Sequence, residues 1–421
     1  MKICRTTPSP LHTIQYLALI AAGIPMAHAE KNAATPIHDL SVATRVRYAD
    51  LTSDQQDGRA SSIRLRLELQ SQWRANLSTH LGIDHVETGF KNDHSDGVRF
   101  NGKPVIPDAA GTDLNQAWIR GHIAGTDITL GRQRLAFGEQ RFMGGNGFWQ
   151  NEQTFDALHI EQKWLSRSRA SISHITNVNR IFGDDADESL KTSDINFVAN
   201  SGLRPEATLG DHKQNTQFLR VEVNEWDYSQ WVSYGIFIDN KDAPLLSSDT
   251  LGTRYTFKAQ ASTFKYRIEA EVAYQHRTEL SNTPSTQYHK LIAGIGYNSL
   301  SLSARIEQLT AESGAGFITP LGSLHDFHGW ADRFSATPGT GLNDTSLKLK
   351  WRSSPWKFDL RYHFFSATEN HDDYGEEVDL DIFLKIKQHH HLNLRLADFN
   401  AHANGLYVDD TRVFFSYSYN F

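Results

Sequence analysis

The chain holds 421 residues, of which 39% are hydrophobic, with 49 acidic against 42 basic side chains, a formal net charge of −7 and one cysteine. Helical membrane bundles need repeated apolar runs of about 20 residues, disulfide scaffolds need paired cysteines and nucleic-acid binders need a basic surplus, so none of these classes fits. An aromatic share of 11% argues against disorder.

At the amino terminus Lys2 and Arg5 precede an apolar run from Leu17 to Pro25 and then Ala27-His28-Ala29. A positive start, a short apolar segment and an A-x-A site are expected of a secretory signal peptide. Residues 1–29 are therefore expected to be removed. The mature chain 30–421 would begin at Glu30, hold 392 residues and carry −9, and Cys4 would leave with the signal. The alternative is a buried amino-terminal helix. Length alone would suit two or three soluble domains, but no linker or composition boundary divides the chain, so one domain is expected.

From residue 40 onward the chain alternates apolar and polar residues with period 2, which gives strands with two unlike faces. Ile63/Leu65/Leu67/Leu69, Val232/Tyr234/Ile236/Ile238 and Val378/Leu380/Ile382/Leu384/Ile386 are clear cases. Strands are predicted at 41–50, 61–70, 73–86, 112–123, 126–135 and 152–163, then at 169–178, 214–223, 228–238, 250–259, 265–276 and 286–297, and finally at 299–308, 343–351, 355–366, 376–387, 390–398 and 410–420. The expected class is all-β with about 18 strands.

The links alternate in length. Tight turns fall at Ser71-Gln72, around Gly125, at Leu165–Arg169 and at Asn298, while the longest links cover 87–111, 136–151, 179–213 and 309–342. Short periplasmic turns, long outer loops and an even strand number describe a transmembrane antiparallel barrel of the bacterial outer membrane. In lipid every backbone N–H and C=O must be paired internally, so the sheet must close. Trp73, Trp351, Trp356, Tyr297, Tyr362 and Tyr417 lie near strand ends, where interfacial girdles form. The last strand, Phe414–Phe421, ends on Phe and resembles the assembly signal of outer-membrane barrels. That resemblance implies the barrel assembly machinery as a partner, with outer-membrane lipid and lipopolysaccharide around the wall.

If the apolar set faces lipid, the interleaved residues line the lumen. The basic ones are Arg45, Arg47, Arg64, Arg66, Arg74, Arg120, Arg220, Arg254, Lys258, Arg267, Lys290, Arg305, Lys348, Lys350, Lys357, Arg361, Lys385, Lys387, Arg395 and Arg412. The acidic ones are Glu68, Glu222, Glu269, Glu271, Glu307, Asp359, Asp379 and Asp381. Twenty bases against eight acids predict a basic lumen inside an acidic protein. Charge of one sign inside a low-dielectric wall focuses the field, and rings of Arg and Lys select anions. The alternative is that these charges pair across strands and hold the barrel round. The loop Phe137–Asn151 carries Arg141 and a Gly144-Gly145-Asn146-Gly147 run. Glycines allow tight folding and close backbone approach, so this loop is a candidate for narrowing the pore. An exposed glycine-rich loop is the other reading.

The stretch 131–184 reads Gly131-Arg132-Gln133-Arg134, Gln140-Arg141-Phe142, Trp149-Gln150-Asn151-Glu152-Gln153-Thr154-Phe155-Asp156-Ala157 and N-V-N-R-I-F-G-D at Asn177–Asp184. It resembles the alginate export family of outer-membrane porins. Weaker echoes are Asp242-Ala243-Pro244, Thr319–Phe334 and Asp372–Glu376. The resemblance implies a monomeric 18-stranded barrel with an arginine-lined pore for a polyuronate. It places Arg132, Arg134, Arg141, Arg180 and Glu152 in the family's most distinctive region. The chain is shorter than the alginate secretion channels of that family, so uptake of small anions or oligosaccharides is equally open.

Ser323, His325, Asp326 and His328 fall in one loop, but a serine nucleophile and its base must meet within hydrogen-bond reach, and no nucleophile-elbow pattern is present. Neither this cluster nor His389-His390-His391 supplies a full metal-ligand set. The acidic stretches Asp184–Glu188 and Glu369–Glu377 could share divalent cations with lipopolysaccharide. The expectation is a diffusive outer-membrane channel for anionic solutes, with no cofactor, no catalytic residues and no nucleic acid. A non-selective general porin is the first alternative and a lipid- or sugar-modifying barrel enzyme the second.

Overall fold

The structure, a computed structural model, describes residues 36–54, 56–89, 92–97, 102–183, 211–280, 284–402 and 406–421. The expected signal peptide, Cys4 and the acidic run Asp184–Glu188 lie outside the described residues. Eighteen strands form one antiparallel sheet. They are β1 (Ile37–Ser53), β2 (Gly58–Arg74), β3 (Leu77–Thr88), β4 (Gly111–Ile123), β5 (Thr126–Gln133), β6 (Thr154–Lys163), β7 (Arg169–Asn179), β8 (His212–Val223) and β9 (Ser229–Ile238). They continue as β10 (Ser248–Ala261), β11 (Phe264–His276), β12 (Ser285–Tyr297), β13 (Leu300–Leu309), β14 (Leu342–Ser353), β15 (Trp356–Ser366), β16 (Asp373–Lys387), β17 (His390–Ala401) and β18 (Asp410–Asn420). A two-residue hairpin, Ala311–Glu312 with Ala315–Gly316, stands apart in the loop after β13.

Each strand pairs with its sequence neighbours, and β18 returns to β1 in the register Ala43↔Asn420 to Ser53↔Asp410. The sheet therefore has no edge, which is the condition for spanning lipid. Among the described residues no helix is long and apolar enough to cross a membrane, and the crossing is made by strands. The period-2 pattern sets the two faces. On β2, Leu65 and Leu67 are 38% and 43% exposed on the outside, while Arg66 between them is 9% exposed on the inside. Ile268, Leu291, Ile306 and Leu347 repeat the outward apolar set around the wall. An apolar exterior of this extent far exceeds the few hundred Å² a soluble monomer shows. It is a lipid-facing surface.

Short turns close one end of the barrel, for example Ala124-Gly125 and Asn298-Ser299, and the long links close the other. Ala124 and Gly125 have φ of 49° and 83°, the doubly positive pair of a type I′ hairpin turn. Near the short-turn rim Phe264 meets Tyr297 at 5.0 Å, and Trp351 meets Phe358 at 5.4 Å, which supplies part of the expected girdle. One predicted turn moves. The strand expected to stop before Ser71-Gln72 runs on to Arg74, and the turn is Ala75-Asn76. An irregularity at Gln72/Arg74 lets the pairing with β3 continue past the predicted stop.

Candidate functional site in the lumen

The link 134–153 between β5 and β6 folds into the barrel. Its root is an ion lattice on the inward faces of β2 to β6. Arg132 and Asp156 are opposed across the β5–β6 pair, and their side chains meet at 2.8 Å. Arg134 holds Glu152 at 2.8 Å and Glu68 at 3.1 Å. Arg66 makes a two-pronged contact with Asp84, both bonds at 2.6 Å, and reaches Glu152 at 3.0 Å. Four residues of the distinctive 131–157 block, Arg132, Arg134, Glu152 and Asp156, thus anchor the loop. Fork-shaped guanidinium–carboxylate contacts of this kind fix geometry as well as charge.

Beyond the root the loop crosses the lumen. Phe137 stacks on Phe218 of β8 at 4.8 Å. Leu135 and Met143 join a buried cluster with Phe155, Ile175, Phe218 and Ile236. At the far wall Glu139 reaches Arg267 of β11 at 2.6 Å, Lys290 of β12 at 3.5 Å and Arg305 of β13 at 3.6 Å. Burial alone would raise the Glu139 carboxyl, but Lys290, Arg305 and Arg267 outweigh it and hold the carboxyl well below the usual range. Arg141 pairs with Glu307 of β13 at 2.8 Å and donates to His328 Nε2 at 2.6 Å. The return limb then meets the opposite wall. Arg45 donates to Gln150 Oε1 at 2.8 Å and to the Gly147 carbonyl at 3.1 Å. Arg64 donates to the Gln150 carbonyl at 3.0 Å, and Phe148 lies edge-on to Phe414 of β18 at 5.0 Å. Arg47 is held by the buried Asp108 at 2.8 Å. The loop therefore crosses the lumen from wall to wall rather than lying exposed.

A second loop, 310–341, enters from β13 and locks onto the first. Gly144 N–H donates to the Leu321 carbonyl, and Ser323 N–H donates to the Gln140 carbonyl, each at 2.9 Å. A Cβ on Gly322 would sit 2.2 Å from the Arg141 carbonyl oxygen, so only glycine permits this backbone approach. Trp330 lies under Arg361 and Arg395, whose guanidiniums are 4.4 and 4.0 Å from its ring centre. Its neighbour Ala331 donates its N–H to the buried Glu377 at 2.8 Å. The Ser–His cluster is spent on this packing. Ser323 Oγ bonds Asn146 and Gln140, His325 bonds Asp332, and His328 lies between Arg141 and Asp344.

The expected surplus of charge is smaller than the strand faces suggested. Asp84, Asp108, Asp113, Glu139, Glu152, Asp156, Asp332, Asp344, Glu377 and Asp410 also lie against the interior, and most of them hold cations or histidines. Arg47, Arg66, Arg132, Arg134, Arg141, Arg220, Arg267, Arg305, Lys348, Arg395 and Arg412 are each in an ion pair. Arg74 is exposed at the short-turn end of β2 rather than deep in the lumen, and Lys258, Lys357, Lys385 and Lys387 are likewise exposed toward that rim. Arg120 donates to Thr129 at 2.9 Å and lies over Trp118. Arg45, Arg64, Arg120, Arg254, Lys350 and Arg361 have no carboxylate within ion-pair distance among the described residues, whose ion pairs all run elsewhere.

Reading strand faces alone passed over these ten acids, of which the resemblance had singled out Glu152, for two reasons. Asp344 and Glu377 are in phase with the inward residues Lys348 and Asp379, so strand phase alone could have found them. Asp108, Glu139 and Asp332 sit on loops, where no periodicity points inward.

No family model and no curated protein matches the chain. Solved structures do. The chain is similar to OccK1 (OpdK) of Pseudomonas aeruginosa, with a TM-score of 0.68 and 8% identity over 91% of this chain and 98% of that one. It is similar to Pseudomonas aeruginosa OpdK solved with vanillate, with a TM-score of 0.67 and 9% identity over 91% and 98%. It is also similar to OccAB4 of Acinetobacter baumannii, with a TM-score of 0.66 and 10% identity over 93% and 99%. Identities this low establish a shared fold. The chain is a closed 18-stranded β-barrel of the Gram-negative outer membrane, with the fold of these outer-membrane proteins.

Proposed function

We propose that residues 30–421 form a diffusive outer-membrane channel for small anionic solutes, working in uptake. The observation that carries this reading is the set of lumenal cations without a carboxylate partner, Arg45, Arg64, Arg254, Arg361 and Lys350, around a passage narrowed by two loops. Cations already paired contribute little net field, whereas unpaired ones inside a low-dielectric wall attract anions. Conduction also requires that binding be spread over several weak sites, which a dispersed set of single arginines provides. One of the similar barrels was solved with vanillate, and that supports a small organic anion as the solute here. The barrel works as a monomer in lipid and lipopolysaccharide, inserted by the barrel assembly machinery, and has no cofactor.

Reversal potential in a planar bilayer under a salt gradient tests the reading. Anion preference is expected. No preference would make the chain a general porin, and cation preference would overturn the charge argument. The resemblance of 131–157 to the alginate export family supports a second reading, passage of a polyuronate. Two loops crossing the lumen favour the smaller solute. Block of the current by oligouronates, with no block by small carboxylates, would reverse that ranking.

A further inference from the structure

We propose that the outer face of β6 to β8 holds a locally thinned bilayer. The lipid beside the root of the 134–153 loop then spans a shorter distance than the lipid against the opposite wall.

The apolar belt is not the same height all round. On β16, across the barrel from β7, five successive outward positions are apolar: Ile386, Leu384, Ile382, Leu380 and Val378, counted from the short-turn end. On β8 the same count gives Val223, Val221 and Leu219, and then the polar Gln217 and Asn215. On β7 it gives only Ala170 and Ile172 before His174. With about 3.4 Å per residue and a tilt of about 40°, five positions rise about 20 Å and three about 10 Å. A barrel wall ordinarily presents an apolar band of about 25 Å.

The inward loop explains the low wall. β5 leaves the sheet at Gln133 after eight residues, and the chain rejoins it at Thr154. A spanning strand ordinarily takes about 9–11 residues. The neighbours stop near the same level, since Gln133 pairs with Phe155 and Thr154 with Asn179.

The belt here is short rather than displaced. At its lower edge the turns 164–168 and 224–228 are tied together. The Ser166 and Ser168 hydroxyls donate to Glu225 at 2.6 and 2.8 Å, and Arg167 pairs with Asp227 at 3.0 Å. Trp164, Trp226 and Tyr228 are exposed on these turns, and such rings settle at the membrane interface. At the upper edge Gln217 donates to Asn215 Oδ1 at 3.1 Å and to His174 Nδ1 at 3.4 Å. That polar row satisfies itself, whereas a contact with a second copy would use such groups on the partner. Between the edges Ile172, Leu219 and Val221 are exposed as outward residues are elsewhere on the wall. A bilayer meets an apolar stretch shorter than its core by thinning.

Spin-label depth measurement on the intact barrel in phosphatidylcholine vesicles tests the proposal. The one cysteine, Cys4, falls in the expected signal peptide, so single labels can be placed on the mature barrel. Asn215→Cys and Val378→Cys put a nitroxide at the fifth outward position of β8 and of β16. The label at position 378 is expected in hydrocarbon, relaxed mainly by oxygen. The label at position 215 is expected about 10 Å nearer water, relaxed mainly by a nickel chelate. Adding His174→Leu with Gln217→Leu raises the belt by one row and should carry the label at position 215 toward hydrocarbon. Heat-modifiable gel mobility reports whether each variant is a folded barrel. If the leucine variant is not, the two single labels decide. Equal depths at positions 215 and 378 would overturn the proposal, as would a label at position 215 that stays in water in the folded leucine variant. Dipolar coupling between Leu219→Cys labels on separate barrels would also overturn it, by making this face a contact between copies.

Discussion

Arg141, on the loop that crosses the lumen, and Glu307, on the far wall, meet at 2.8 Å with side chains 5% and 1% exposed. A buried pair of this kind does little for stability against an apolar substitute, but breaking it strands a charge. Arg141→Ala is expected to lower unfolding stability by about 3 kcal/mol, the low end for such a loss because Arg305 still holds Glu307. It should also release the loop, so single-channel conductance should rise. Unchanged conductance would show that the loop is held by Glu139 and the Phe137–Phe218 stack without Arg141.

The junction between the two loops gives a steric prediction. Gly322→Ala places a methyl 2.2 Å from the Arg141 carbonyl oxygen, and backbone atoms cannot swing aside as a side chain can. The loops must separate there, losing the Ser323 N–H to Gln140 bond. Overpacking of this sort costs about 1–3 kcal/mol. The expected reading is a noisier open-channel current with an intact barrel by heat-modifiable gel mobility. A quiet current would mean that the 310–341 loop has room to shift as a unit.

The wall itself is testable at Leu291, half-exposed at the middle of β12 and facing outward. Leu291→Arg should cost about 2–4 kcal/mol in reversible unfolding from lipid vesicles, since midplane charges on the lipid face are penalised at that level. A change below about 1 kcal/mol is what an interfacial position would give, and it would move the membrane plane relative to β12.

The fold was legible because one period carried it. Each of the eighteen expected strands has its counterpart, and the errors are at ends, such as the turn that moved from Ser71-Gln72 to Ala75-Asn76. A strand wall is local information: polar and apolar residues alternate whatever lies across the lumen. The site was only half legible for the same reason. Arg47 and Asp108 are 61 residues apart, and Arg141 and His328 are 187 apart. Nothing in the phase of β1 announces that Asp108 will neutralise Arg47. Arg45, two residues away on the same face, has backbone carbonyls and an amide as its partners instead. Which arginines keep their charge unspent is decided by loops.

That distinction sets the selectivity experiment. Arg66 is bound to Asp84 and Glu152, so changing it damages the loop anchor rather than the field. Arg64 and Arg361 have no carboxylate within reach among the described residues, and Arg64→Glu with Arg361→Glu should turn the reversal potential toward cations. Arg66→Gln alone should lower stability more than it shifts that potential. The opposite ranking would mean that paired arginines still govern permeation.

The junction should also respond to acid through His328. Its Nε2 accepts from Arg141 Nη2, and its Nδ1–H donates to Asp344 Oδ2 at 3.1 Å. An accepting nitrogen carries no proton, so the imidazole works here in its neutral form. Burial pushes its pKa down, Arg141 pushes it further, and Glu307 and Asp344 oppose them without prevailing. The unfolded chain, near the usual value of about 6.5, therefore takes up the proton before the folded one does. Stability is full above that value and declines as pH falls below it, until the folded imidazole also protonates and the decline stops. Between pH 7 and pH 5 the loop junction should loosen and open-channel noise should increase. His328→Gln cannot titrate, and its amide oxygen can still accept from Arg141, so its noise should be flat across that window. Wild-type current that stays flat from pH 7 to 5 would show that the Arg141–Glu307 pair holds the junction without the histidine.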